Sequence, residues 1–366
     1  MQPESSSRRH FLRQSALSLG GIQLGLTTYG SAAEAKVAPH KERFNHYEDA
    51  RLITGEPAAI APGSFTIVAL PDTQKYAKVN PEGFLAQTEW ITKNAQARNI
   101  AGVIHLGDIT DNNLPAQWEL AVKAMQKLDG VVPYFLVPGN HDYSENGVCK
   151  DRKTLINDYF KVSDQQKRPS FGGVYDKEPD HLENSYHLLT IGDKKLLILC
   201  LEFGPRKDVV RWANEVVAKH KDHAAILATH AYMYFDDTRY DQKKYGDQQV
   251  WNPHKYAIAA ATGDDVNDGE ELWQNLVSKQ SNFIMTLNGH VLNDGLGRIS
   301  TKAPDEREIH QMLFNCQMRP NGGDSWLRLI EFKADGTASI CDYAPQLDKR
   351  NEAEENKFTL KVAPVA

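Results

Sequence analysis

Five short apolar runs in this chain each end in a residue that can ligate a metal ion. Phe65 to Leu70 is followed by Pro71-Asp72-Thr73-Gln74, Ala101 to Leu106 by Gly107-Asp108-Ile109-Thr110-Asp111, and Val132 to Val137 by Gly139-Asn140-His141-Asp142. Ala224 to Thr229 ends in His230, and Phe283 to Leu287 runs into Asn288-Gly289-His290. Carboxylate, amide and imidazole donors together form an oxygen and nitrogen cage of the kind that holds divalent transition metals. Neither a G-x-S-x-G elbow nor an H-E-x-x-H pair is present, so serine-hydrolase and zincin chemistry lack their residues.

These donors meet only if the apolar runs are strands of one architecture. Asn80-Pro81 offers a cap and a first-turn proline, and Phe84, Thr88, Ile91 and Ala95 recur at helical spacing to about Arg98. Trp118, Ala121, Val122, Met125 and Leu128 mark a second helix that stops at Gly130. Strand, helix, strand, helix, strand predicts a parallel sheet, whose ligands lie outside the carboxyl ends of its strands. Ser185 to Ile191 and Lys195 to Leu201 flank Gly192-Asp193 as a hairpin, and a helix through Trp212, Val216 and Val217 follows. Asp268 with Glu271 is a capping box for a helix through Leu272, Leu276 and Val277. Residues 310 to 345 are strand-rich, with turns at Gly322-Gly323 and Asp335-Gly336, and Arg350 to Lys357 reads as a solvated charged stretch.

Gly-Asp, then Gly-Asn-His-Asp, then an isolated His and a Gly-His, each at a strand end, resembles the calcineurin-like metallophosphoesterase superfamily over about residues 65 to 295. The resemblance implies an α/β fold, an α/β/β/α sandwich of two mixed sheets. The catalytic domain would span 64–300, with a strand-rich C-terminal region, 301–366, packing on it and ending in a charged tail. It also implies two divalent ions about 3.5–4 Å apart and hydrolysis of a phosphomonoester or phosphodiester by metal-bound hydroxide. Asp108 would bridge both ions, Asn140, His230 and His290 would complete the second site, and Asp72 with Gln74 would hold the first. His141 would act on the phosphate as general acid or charge stabiliser, with Asp142 orienting its imidazole through the other ring nitrogen.

Two positions depart from the family pattern. Its first motif, Asp-x-His, is Asp72-Thr73-Gln74 here, a form that resembles a variant branch, and its last, Gly-His-x-His, has Leu292 at the second His. Both lost imidazoles belong to the first site. Gln74 can offer only a neutral carbonyl oxygen, poorer for Zn²⁺ than imidazole but acceptable to Mn²⁺, Mg²⁺ or Ca²⁺. The first site is therefore expected to bind more weakly, with Asn293 and Asp294 as candidates to replace the missing ligand and Mn, Fe, Zn, Mg or Ca as candidate ions. Purple acid phosphatases need a metal-binding Tyr where Asp111 stands, which argues against that subfamily. Asp111 reads more simply as a turn or cap residue, and His105 as a packed side chain. The long polar segment from Asp236 to Asp268, with Trp251 and His254, has the character of a lid. The aromatics around it, Tyr232, Tyr234 and Phe235 included, either face a substrate or pack the insertion. The rival from another class is a non-catalytic metal or phosphate-ligand binding protein with a degenerate first site. Leu292 favours that reading, and the intact Gly-Asn-His-Asp opposes it.

The chain has 366 residues, 41% of them apolar and 25% charged, with a net charge of −6. That length suits one large domain or two. The acidic balance supplies no basic face for a nucleic-acid polymer, so a small phosphoester is the expected partner. No apolar stretch reaches the ~18 residues of a membrane span. Ser7-Arg8-Arg9-His10-Phe11-Leu12, a mild apolar segment from Ser15 to Tyr29 and Ser31-Ala32-Ala33 together resemble a bacterial twin-arginine export signal. That resemblance implies a signal peptide over 1–33, a linker over 34–63, the twin-arginine translocase as a partner, and a periplasmic or secreted product. Cys149, Cys200, Cys316 and Cys341 form no C-x-x-C pair; Cys200 reads as a core thiol, and a Cys316–Cys341 disulfide is left open.

Overall fold

The computed structural model describes residues 50–362, so the expected export signal and the linker up to residue 49 lie outside the described residues. The strands begin with β1 (Leu52–Thr54), β2 (Phe65–Leu70), β3 (Ile100–His105), β4 (Tyr134–Leu136), β5 (Phe171–Val174), β6 (Ser185–Ile191), β7 (Lys194–Leu201) and β8 (Ala224–Thr229). They continue with β9 (Phe283–Asn288), β10 (Leu296–Lys302), β11 (Glu308–Phe314), β12 (Leu327–Phe332), β13 (Thr337–Ala344), β14 (Lys349–Asn351) and β15 (Lys357–Lys361). One sheet runs β1-β14-β13-β12-β2-β3-β4, with β15 pairing β13; the other runs β10-β11-β9-β8-β7-β6-β5. β2, β3 and β4 are parallel, as are β7, β8, β9 and β11. Antiparallel neighbours flank both blocks, so both sheets are mixed.

Strand periodicity explains the layering. Ile67 and Ala69 of β2 join Leu196, Ile198 and Cys200 of β7 in the core between the sheets. Their alternates, Val68 and Leu70, pack under α2 (Pro81–Asn94) and α3 (Pro115–Met125), which follow α1 (Gln74–Val79), through Phe84, Ile91, Trp118 and Met125. Leu197, Leu199 and Leu201 face Val209, Trp212 and Val216 of α4 (Lys207–Lys219). A strand buried on both faces has no polar alternation, and β2 and β8 have none: every residue of each is buried. Each such aliphatic side chain contributes roughly 1.5–3 kcal/mol. The result is the expected α/β/β/α sandwich.

Several local expectations change. α2 ends at Asn94, four residues early, where the Asn94 side chain bonds back to the Trp90 carbonyl at 3.0 Å. Asn80 precedes α2 without a side-chain cap; its Nδ2 donates instead to the Asn321 carbonyl at 2.8 Å, which turns the side chain toward that loop. The charged stretch from Arg350 to Lys357 is no solvated tail. It starts within β14 and leads into β15, with Asn351 and Asn356 buried beside Asp342. Cys316 and Cys341 are free thiols, so the disulfide is absent.

Arg328 and Asp342, 2% and 0% exposed, form a two-pronged ion pair at 2.7 and 2.8 Å, with the guanidinium over the Phe314 ring. Removing one partner strands a buried charge. Asp342→Ala should cost about 3–5 kcal/mol in chemical denaturation. Asp164→Ala, which breaks the exposed pair with Lys167, should leave the denaturation midpoint nearly unmoved.

Candidate metal centre

The carboxyl ends of β2, β3, β8 and β9, and the turn after β4, bring the candidate residues to one edge of the sandwich. Ligand atoms of Asp72, Asp108 and His230 lie within 4.8 Å of one another, and all three residues are buried. The crowding constrains the backbone. Asp108 and His290 sit at φ 47° and 76°, a left-handed region costing of order 1–3 kcal/mol for such residues. A Cβ on Gly139 would stand 2.2 Å from Asp108 Oδ1, and one on Gly107, itself at φ 99°, 2.4 Å from His230 Nδ1. The glycines of the Gly-Asp and Gly-Asn-His-Asp motifs are thus the clearances that let Asp108 and His230 meet.

Three backbone carbonyls orient the imidazoles. His230 Nδ1 bonds Leu106 O at 2.7 Å, His290 Nε2 bonds Trp251 O at 2.8 Å, and His141 Nδ1 bonds Asp111 O at 2.8 Å. A carbonyl only accepts, so each of these nitrogens carries the proton, and the opposite nitrogen of each ring is the one presented to a ligand. His230 Nε2 lies 3.1 Å from Asp108 Oδ1 without hydrogen-bond geometry, and Asn140 Oδ1 is buried with no partner. His230 Nε2 keeps its ion pair with Asp108 at 3.1 Å, while an orphaned buried oxygen such as Asn140 Oδ1 costs about 1–3 kcal/mol. The buried cluster of Asp72, Asp108 and His230, with this unpartnered amide oxygen on the adjoining turn, is a donor set that fits a divalent cation.

Burial raises the Asp72 carboxyl well above its usual range, and the Asp108 charge adds to this while His230 opposes it. Burial pushes Asp108 the same way, but His230 and His141 outweigh it and hold Asp108 below its ordinary value. Burial alone would lower His230; Asp108 and Asp72 instead lift it to about 9. His290 and His105 fall to about 3, chiefly through burial. Neutral His105 ties the first two loops together, meeting Thr73 Oγ1 at 2.9 Å and accepting from Gly107 N at 3.2 Å.

Other candidates take different places. Gln74 donates Nε2–H to Asp108 Oδ2 at 2.7 Å. Asp142 does not touch the His141 ring. It accepts from the backbone N–H groups of Gly139, Ile109 and Thr110 and from Thr110 Oγ1 at 2.8–3.0 Å, because it closes its own turn onto the Asp108 loop. Asp111 faces outward to Lys75 and Lys78 at 3.0 and 2.6 Å. Asp294 accepts from Leu296 N, and Asn293 Oδ1 is buried without a hydrogen-bond partner, as Asn140 Oδ1 is, so Asn293 keeps its place as a candidate ligand. No motif marks Asn315 and Gln317, whose amides reach Asp72 Oδ2 at 3.0 and 3.3 Å, or Asn288, whose amide joins both backbone groups of Met233. One signal did exist, since Asn315 directly follows a strand.

Within the 236–268 segment, Trp251 sits at φ 63° and is 37% exposed as a residue, and Tyr256 packs on Phe203 and His290 at centroid distances of 4.9 and 5.9 Å. Tyr232 and Tyr234 are buried in the core under α4. His254 links the segment to the helix after Asp268 through Asp264 and Glu271 at 2.6 and 2.8 Å.

Two mixed sheets thus gather buried Asp and His donors at their strand ends into a candidate metal centre. The chain belongs to the calcineurin-like phosphoesterase family, whose profile matches residues 65–294. Among curated proteins it is 30% identical over 310 residues to the uncharacterized protein YvnB of Bacillus subtilis (strain 168), covering 82% of this chain but only 21% of that relative. Among solved structures it is similar to the purple acid phosphatase PPD1 of yellow lupin (Lupinus luteus), with a TM-score of 0.48 and 12% identity over 83% of this chain and 55% of that one. It is similar too to Haemophilus influenzae NAD nucleotidase, with a TM-score of 0.40 and 13% identity over 82% and 50%.

Asp142→Ala should lower stability by roughly 2 kcal/mol or more, since four buried donors lose their acceptor; a residue that only oriented His141 would leave the melting curve unmoved. Burial pulls His254 down, but Glu271 and Asp264 raise it to about 9 from its usual 6.5. The stability this pair contributes is therefore complete below about pH 6.5 and lost as pH rises through about 9. Proteolytic nicking within 236–268 should accelerate above about pH 9, and His254→Ala should nick fast at neutral pH with little further change.

Proposed function

We propose that the chain is a metal-dependent hydrolase of small phosphoesters, exported from a bacterial cell. The observation that carries this is the buried cluster of Asp72, Asp108 and His230, whose ligand atoms lie within 4.8 Å of one another, together with the unpartnered buried oxygen of Asn140. Asp108 would be shared by two divalent ions. Asn140, His230 and His290 would complete the second site, and Asp72 with Gln74 would hold the first. Ions bound there supply Lewis acidity and make water nucleophilic at neutral pH.

The chain's own residues do the rest. His141 is half-buried, held through Nδ1–H by the Asp111 carbonyl and through its backbone N–H by Asp108 Oδ1 at 2.9 Å, which leaves Nε2 toward a phosphate oxygen; in the doubly protonated imidazolium form it gives the Nε2 proton to the leaving group and keeps the one on Nδ1. Tyr256, packed on His290, is the aromatic side chain beside which the organic part of the ester extends. Gln74, an amide in place of an imidazole, makes the first site the weaker one. The arginine pair Arg8-Arg9 and the small residues before Glu34 support cleavage of residues 1–33 and a periplasmic or secreted location. Among the described residues no helix is long and apolar enough to cross a membrane.

The test is hydrolysis of a chromogenic phosphomonoester and phosphodiester with Mn²⁺, Zn²⁺, Mg²⁺ or Ca²⁺ added to metal-stripped protein. Turnover should appear with metal, and His141→Ala should lower kcat by about 10²–10⁴ while retaining the ions. Bound metal without turnover in either protein would favour the binding-protein reading, which Leu292 supports.

A further inference from the structure

The first site lacks a side chain where Leu292 replaces an imidazole, and the structure brings two amides to the same carboxylate from the chain just past β11. Asn315 Nδ2 and Gln317 Nε2 lie 3.0 and 3.3 Å from Asp72 Oδ2. The two amides are not equivalent. Asn315 Oδ1 accepts the Gln317 backbone N–H at 3.0 Å, so its orientation is fixed and only its nitrogen can face Asp72. Gln317 Oε1 accepts no hydrogen bond among the described residues, although the residue is only 7% exposed. A half-turn about its last side-chain torsion, a broad two-fold rotor, puts oxygen where nitrogen now stands.

We propose that Gln317 is a ligand of the first metal site, presenting Oε1 to the ion in place of the imidazole that position 292 lacks, with Asn315 as the residue that positions Asp72 and the Gln317 backbone. β11 pairs in parallel with β9, so the chain leaves it on the same edge as His290. The first site is then built from Asp72, the bridging Asp108, Gln74 and Gln317, all oxygen donors. Such a set selects hard ions, Mn²⁺, Mg²⁺ or Ca²⁺, over Zn²⁺.

The assignment rests on the two-ion reading above, and one experiment separates them. Metal-stripped protein is titrated with Mn²⁺, and free Mn²⁺ is counted by electron paramagnetic resonance. The wild type should take up two ions, one weaker. A ligand at 317 gains from an anionic oxygen, so Gln317→Glu should keep both and tighten the weaker by on the order of tenfold. A residue that merely donates an N–H to Asp72 would become a repelling carboxylate, and Gln317→Glu would lose the weaker ion; that result overturns the assignment alone. A wild type that holds one ion or none overturns the two-ion reading and the assignment together. Retention of the tighter ion confirms a folded variant. Gln317→His gives a second check, since it should turn the weaker site toward Zn²⁺, and an unchanged preference counts against the proposal.

Discussion

Two carboxylates, Asp72 and Asp108, are buried in contact with one imidazole, and much of the site's construction answers that arrangement. Like charges about 4 Å apart repel by ~1–4 kcal/mol across the range from bulk water to a protein surface, and burial removes water's share of the screening. The chain responds with aimed donors. His290 N and the amides of Asn315 and Gln317 face Asp72, while Gln74 and His141 N face Asp108. His230 stands between the two acids, and its raised proton affinity follows from both. The left-handed backbone at Asp108 and His290 is part of the same cost. The layers of aliphatic side chains on both sides of each sheet offset it.

Those layers also explain why the donors face a ligand and not one another. Each histidine is oriented by a carbonyl, and the three carbonyls come from separate places: the end of β3, the loop carrying Asp111, and the 236–268 segment. The last of these matters for function. Trp251 is partly exposed and gives its carbonyl to His290, so the position of this segment sets the tautomer of a candidate ligand. A displacement of the Trp251 carbonyl would release Nε2 of His290 and weaken the claim of Nδ1 on a metal.

The parts of the site legible in the sequence were those in which a side chain directly follows an apolar run. Asp72, Asp108, Asn140, His230 and His290 are such residues, and the rule that parallel strands present ligands at their carboxyl ends was enough to group them. The same rule covers Asn315, but only if β11 is parallel to β9. A strand-rich stretch broken by glycine turns suggests antiparallel hairpins, and nothing in its composition shows that β10 leads out and β11 returns alongside β9. The role of Asp142 was illegible for another reason. Adjacency to His141 suggested a contact, whereas one turn of 3₁₀ helix points the carboxylate back into the loop. The carbonyls of Leu106, Asp111 and Trp251 carry no sequence signal at all, since every residue has one.

The family match ends at residue 294, but the site does not. β12 pairs with β2 from Phe65 to Ala69 and thereby fixes the strand that delivers Asp72, and the chain past β11 supplies two of that carboxylate's donors. Residues beyond 300 therefore support Asp72 from two directions, through the sheet and through direct contact. Under the proposed two-ion reading, loss of the imidazoles at positions 74 and 292 need not mean decay when the neighbouring strand has brought amides to the same carboxylate. What would change is the chemistry of the donors, from nitrogen to oxygen, and with it the kind of ion such a site would prefer.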